Sequence, residues 1–149
     1  MDEQTDALAD PKDKTVLIVD DDEGQRDLLS HLIGKAGFRI AEAKTGAEAL
    51  QKVRESAPDL IVLDLMLPGM GGYEILREFQ ASGSGDIPVV IVSAREMDQK
   101  MINTLTCEPN VRDFFAKPPR PEVFSARLHA LLQTRPPPRI QSGDVYGPG

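Results

Sequence analysis

Five short apolar runs recur along the chain, at residues 15–20, 39–43, 60–64, 88–93 and 113–117, and each is followed by a stretch with helical spacing of its apolar positions. The first, third and fourth runs are almost continuously aliphatic: Val16-Leu17-Ile18-Val19, Leu60-Ile61-Val62-Leu63 and Val89-Val90-Ile91-Val92. Unbroken runs of this kind mark parallel strands covered on both faces, whereas a half-exposed sheet would alternate. The second run is more polar and fits a sheet edge. Leu28, Leu29, Leu32, Ile33 and Ala36 form a helical stripe that runs to Gly37, where a C-terminal cap is expected. Ala47, Leu50, Val53 and Ala57 form a second stripe, opened by Thr45-Gly46 and closed before Pro58. Three more helices are expected over residues 73–80, 96–105 and 121–133. A strand–helix unit repeated five times predicts an α/β fold, a doubly wound five-stranded parallel sheet with helices on both faces.

The 149 residues suit one such domain, able to bury about two-thirds of its unfolded surface. Composition changes the picture at the two ends. Residues 1–13 are acidic and polar and predict a flexible tail. Residues 135–149, with Pro136-Pro137-Pro138 and a Gly-rich end, predict a linker or tail of partly extended character, leaving residues 14–134 as the folded domain. With 24 acidic against 17 basic side chains the formal charge is −7, which disfavours direct binding to nucleic acid or to an anionic membrane. No apolar run approaches the ~20 residues that span a bilayer. One cysteine, Cys107, and two histidines, His31 and His129, supply neither an internal disulfide nor a zinc cluster, and a reducing cytoplasm is the expected setting.

Ligands of this architecture lie at the carboxyl ends of the strands, and the chemistry-bearing residues fall there. Asp64 closes the third run. A carboxylate buried there without a partner would cost several kcal/mol, so a cation must stand beside it. The first run ends in Asp20-Asp21-Asp22, the fourth in Ser93 and the fifth in Lys117. Asp22 and Glu23 are explained by capping and by the dipole of the helix that follows. Adjacent carboxylates facing Asp64 need a neutralising ion instead, and hard oxygen donors in an open cluster favour Mg²⁺ over zinc, with Asp20 and Asp21 as candidate ligands. A lone Ser93 or Lys117 is commonly just a satisfied strand end. Together the four strand ends supply carboxylates, a hydroxyl and an ammonium, which match the needs of a phosphoryl group.

Four segments carry a family likeness: Val16-Leu17-Ile18-Val19-Asp20-Asp21-Asp22-Glu23, the stretch from Leu60 through Asp64, Pro68 and Gly69 to Tyr73, Val89-Val90-Ile91-Val92-Ser93-Ala94-Arg95, and Phe114-Phe115-Ala116-Lys117-Pro118. In this order the chain resembles the receiver domain of two-component response regulators over about residues 14–134. The resemblance implies a flavodoxin-like sheet of strand order 2-1-3-4-5, with Asp64 as phosphoacceptor. It implies Mg²⁺ held by Asp20, Asp21, Asp64 and the main-chain carbonyl of Met66, phosphoryl contacts from Ser93 and Lys117, and a switch made by Ser93 and Phe114. The implied donor is a sensor histidine kinase or a histidine phosphotransfer protein, and the implied output is a downstream protein partner or effector domain, with homodimerisation on phosphorylation left open. Met66 and Arg95 flank the site and are expected to influence phosphoryl lifetime.

Four departures from the family pattern stand out. The interval from Ser93 to Lys117 is slightly long, and Thr106-Cys107-Glu108-Pro109-Asn110-Val111 replaces the usual Gly-Ala approach to the last strand. Pro109 is expected to end the fourth helix early. Phe114 lacks a hydroxyl at its tip, and Gly71-Gly72 stands where Asp-Gly is common, which should loosen the turn into the third helix. Competing readings are a phosphorylation-independent scaffold and an aspartyl-phosphate phosphatase of the haloacid dehalogenase type, against which Met66 stands where a second Asp is needed. A dinucleotide-binding oxidoreductase is disfavoured because Asp20-Asp21-Asp22-Glu23-Gly24 would repel a pyrophosphate.

Overall fold

The computed structural model describes residues 8–67, 69–93 and 99–137. Its elements alternate as read from the pattern: β1 (Thr15–Val19), α1 (Glu23–Lys35), β2 (Arg39–Ala43), α2 (Gly46–Ser56), β3 (Leu60–Asp64), α3 (Gly72–Ala81), β4 (Val89–Ser93), α4 (Gln99–Thr106), β5 (Val111–Ala116) and α5 (Pro121–Leu132). The five strands form one parallel sheet in the order β2-β1-β3-β4-β5. Successive side chains of a strand point to opposite faces. Leu17, Val19, Ile61, Leu63, Val89 and Ile91 therefore pack with α2, α3 and Leu105 of α4, while Val16, Ile18, Leu60, Val62, Val90 and Val92 pack with α1 and α5. Continuous aliphatic runs are what such double burial requires.

Helix ends follow local chemistry. Asp22 caps α1 by accepting from the Gln25 N–H at 3.1 Å, and Thr45 caps α2 by accepting from the Glu48 N–H at 3.0 Å. Gly37, just beyond α1, has φ +103°, a region that favours glycine. Of the helix expected over 96–105, residues 96–98 lie outside the described residues, and α4 ends at Thr106, ahead of Pro109. Strand β5 starts two residues earlier than its apolar run suggests. It is an edge strand, only partly buried, and its register against β4 shifts where Val89 and Val90 face Val111 and Asp113, so Arg112 falls at an irregularity of the ladder and, with Asp113, interrupts the apolar signal. Near the chain ends Ala9 bridges to Thr134: its N–H donates to the Gln133 carbonyl at 2.9 Å, and its carbonyl accepts from Arg135 at 2.9 Å. Among the described residues no helix is long and apolar enough to cross a membrane.

Candidate functional site

Strand register alone brings the site residues together. Val19 pairs with Leu63, so Asp20 leaves β1 beside Asp64 at the end of β3, and Asp64 pairs with Val92 next to Ser93. Ser93 pairs with Ala116, and the Lys117 N–H donates to the Ser93 carbonyl at 2.9 Å, which ties the ends of β4 and β5 and places Lys117 over the same edge. The Lys117–Pro118 peptide is cis.

The side chains converge accordingly. One carboxylate oxygen each from Asp20, Asp21 and Asp64 lies within 4.8 Å of the others, Asp20 and Asp64 being buried and Asp21 exposed. Lys117 Nζ reaches Asp20 Oδ2 at 2.6 Å and Asp64 Oδ1 at 3.6 Å, with 7% of its side chain exposed. Asp20 Oδ1 also accepts from the Asp22 N–H at 3.0 Å, and Asp64 Oδ1 from the Met66 N–H at 3.2 Å. Burial pushes the Asp64 carboxyl above its ordinary 3.8; the Met66 N–H and Lys117 pull it down, and Asp20 and Asp21 push it up again. Among the described residues, three carboxylates against one ammonium leave the cradle short of positive charge. All-oxygen donors around one exposed opening fit a hard divalent cation such as Mg²⁺, and among the described residues no histidine or cysteine joins the group.

Ser93 is 1% exposed at the end of β4. Phe114 is half-buried against the α2–α3 face of the core, in register with Ile91. Met66 lies on the loop after β3, with half of its side chain in solvent. Arg95 lies outside the described residues. Of the two glycines, Gly71 has open space where a Cβ would lie, whereas Gly72 is tightly placed: its N–H donates to the Leu65 carbonyl at 3.0 Å, and a Cβ there would stand 2.9 Å from Leu65 main-chain atoms. Gly72 thus permits the close turn that returns the chain from β3 into α3.

Two features escaped the sequence. Arg26 on α1 donates from Nη1 to the Asp20 carbonyl at 3.0 Å and from Nε to Glu42 of β2 at 3.2 Å. A basic residue four positions after the Asp22 cap was the available signal. On the far side of α3, Glu108 and Asn110 are buried and bonded to Gln80. No local pattern announces that contact, because the partners are about thirty residues apart.

A family model for the response regulator receiver domain matches residues 16–129. Over 119 residues, 80% of this chain and 51% of the relative, the chain is 34% identical to the transcriptional regulatory protein AfsQ1 of Streptomyces coelicolor. It is 35% identical over 133 residues to the DNA-binding response regulator MtrA of Mycolicibacterium smegmatis, covering 87% of this chain and 57% of the relative. The chain thus spans about half the length of the curated relatives it matches. Among solved structures, a putative response regulator from Chloroflexus aurantiacus aligns with TM-score 0.71 and 31% identity, over 80% of this chain and 97% of that one. The chemotaxis protein CheY4 of Vibrio cholerae aligns with TM-score 0.70 and 27% identity, over 80% and 98% respectively.

Proposed function

Because this chain belongs to the response regulator receiver family, we propose that it is a phosphorylation-controlled signalling module whose phosphoacceptor is Asp64. The donor is a phosphohistidine of a sensor kinase or a phosphotransfer protein in the cytoplasm. A carboxylate oxygen of Asp64 attacks phosphorus as the bond to the donor imidazole breaks; the imidazole leaves with the electron pair and is protonated. Lys117, already 3.6 Å from Asp64 Oδ1, meets the arriving phosphoryl oxygens and offsets repulsion between two anions. Asp20, Asp21, Asp64 and the Met66 carbonyl would hold Mg²⁺, which when bound supplies the positive charge that the cradle lacks. The Ser93 hydroxyl donates a hydrogen bond to the acyl phosphate, and Phe114 turns inward as that hydroxyl moves, altering the surface around β4 and β5.

The observation that carries this reading is the convergence of Asp20, Asp21 and Lys117 on Asp64. Output is delivered through protein contacts, to a partner or an effector domain, since a chain of charge −7 is a poor ligand for nucleic acid. Incubation with acetyl phosphate and Mg²⁺ tests the proposal. Intact-mass measurement should show one added phosphoryl group on the native chain and none on Asp64→Asn. An unmodified native chain that still binds its partner would establish the scaffold reading instead.

A further inference from the structure

We propose that Arg26 is a positioning residue for the cation cradle: fixed by Glu42, its guanidinium clamps the Asp20–Asp21 peptide and so sets where the Asp21 carboxylate stands. The inference rests on the reading of that cradle as a Mg²⁺ site. It starts from how differently the three carboxylates are held. Asp20 is fixed by Lys117 and the Asp22 N–H, and Asp64 by the Met66 N–H. Asp21 is the exposed member, so its position depends on its backbone.

That backbone is gripped from both sides of residue 20. The Asp20 N–H donates to the Ala43 carbonyl of β2 at 3.1 Å. The Asp20 carbonyl, just beyond the end of β1, accepts from Arg26 Nη1 at 3.0 Å. A peptide unit is planar, so holding the oxygen of residue 20 also orients the N–H and Cα of Asp21. Arg26 is held in turn: its Nε donates to Glu42 Oε1 at 3.2 Å, and Glu42 Oε2 accepts from Ser30 Oγ at 2.7 Å. With Nε on one acceptor and Nη1 on another, the plane of the guanidinium has little freedom. Only 11% of the Arg26 side chain is exposed, against 40% of Glu42, so water competes weakly at the Asp20 end of the clamp and more at the Glu42 end. Both peptide units flanking Asp20 are therefore referred to β2, one directly and the other through Arg26 and Glu42.

Charge and position predict opposite signs. A guanidinium beside a cation site repels the cation, so if charge alone counted, its removal would tighten Mg²⁺ binding. A clamp that places a ligand predicts weaker binding on removal. The native chain, Arg26→Ala, Arg26→Lys and Glu42→Gln are compared by calorimetric titration with MgCl₂, by the amide resonances of Asp21 and Asp22 in metal-free protein, and by thermal unfolding. The Mg²⁺ dissociation constant should rise about tenfold in Arg26→Ala, the usual scale for losing a group that orients a metal ligand. Arg26→Lys should not restore it, because an ammonium lacks the planar fork that spans Asp20 and Glu42. The Asp21 and Asp22 resonances should move in all three variants, and the Mg²⁺ concentration for half-maximal labelling by acetyl phosphate should rise more than the maximal rate falls. Unchanged or tighter Mg²⁺ binding in folded Arg26→Ala would overturn the proposal. Should that variant fail to fold, Glu42→Gln decides by the same criterion. A native chain that binds no Mg²⁺ would overturn the reading of the cradle itself, an outcome distinct from a native chain that binds and variants that bind equally.

Discussion

Asp64 and Glu108 are carboxylates of equal burial, each 6% exposed, and they keep opposite company. Glu108 Oε1 accepts from Gln80 Nε2 at 2.9 Å and pairs with Arg77 Nε at 3.1 Å. Gln80 Nε2 donates also to Asn110 Oδ1 at 2.9 Å, and Arg77 extends to the Tyr73 hydroxyl with its guanidinium 5.0 Å from that ring. Every member of this cluster has found a complement. Asp64 instead faces Asp20 and Asp21, and one lysine serves both it and Asp20. Burial of a carboxylate thus says little about function; the balance of charge around it decides. The satisfied cluster fastens the connection between α4 and β5 to α3, and the unbalanced one is left ready for a cation and an anion.

Helix α3 joins the two regions. Its N-terminus leaves the turn after Asp64, and its later half carries Leu76, Arg77 and Gln80 of the Glu108 cluster. The segment 106–111 that departs from the family pattern is therefore anchored, a polar clasp in place of a small-residue approach.

Removing Asn110 should produce the largest effect on stability. Asn110 is 1% exposed, and Asn110→Ala deletes the acceptor for Gln80 together with the contact from Nδ2 to the Leu76 carbonyl at 3.5 Å. Loss of a buried satisfied amide should cost roughly 2 kcal/mol in urea unfolding. Asp64 should still be labelled by acetyl phosphate, because the clasp lies away from the cradle. A neutral Asn110→Ala would mean that the clasp is ornamental.

The fold was legible because double burial writes itself as unbroken aliphatic runs, and the cradle because Asp20, Asp64, Ser93 and Lys117 each end such a run. Where a strand lies at the edge, as β5 does, Arg112 and Asp113 blur the start. Long-range side-chain bonds leave no local trace: Arg26 to Glu42 and Gln80 to Glu108 each join residues that look like ordinary surface polar positions in the sequence. The tight fit at Gly72 leaves no local trace for a related reason, since the main chain of Leu65 that crowds it is invisible to local propensity.

Asp64→Asn should move stability in the opposite direction to Asn110→Ala, by a smaller amount. The raised pKa of Asp64 means that its favourable contribution is fully present below 3.8 and is lost as pH rises through the raised value. At neutral pH and without divalent cations the ionised group therefore destabilises the fold, and Asp64→Asn should melt above the native chain. The gap should close on acidification as Asp64 takes up its proton. Added Mg²⁺ should raise the melting temperature of the native chain more than that of the variant, through binding to the folded state. An Asn variant that melts below the native chain in EDTA would show that Lys117 and the Met66 N–H already balance the site.

The smallest effect tests the joint between the regions. Gly71 is the N-cap of α3, with φ −69° and ψ 163° and no side-chain cap bond. Those angles suit any residue, and nothing stands within 4 Å of where a Cβ would lie. Gly71→Ser should supply the missing acceptor for the first turn and stabilise by a few tenths of a kcal/mol, the usual difference between glycine and serine at a cap. Gly72→Ala, one residue on, should destabilise, because its Cβ meets the Leu65 main chain at 2.9 Å. If the two substitutions were equally tolerated, the close approach of α3 to Leu65 would not constrain the turn. Opposite signs at neighbouring glycines would instead locate the rigid point between the acidic cradle and the Glu108 clasp at Gly72, with Gly71 a cap left unfilled.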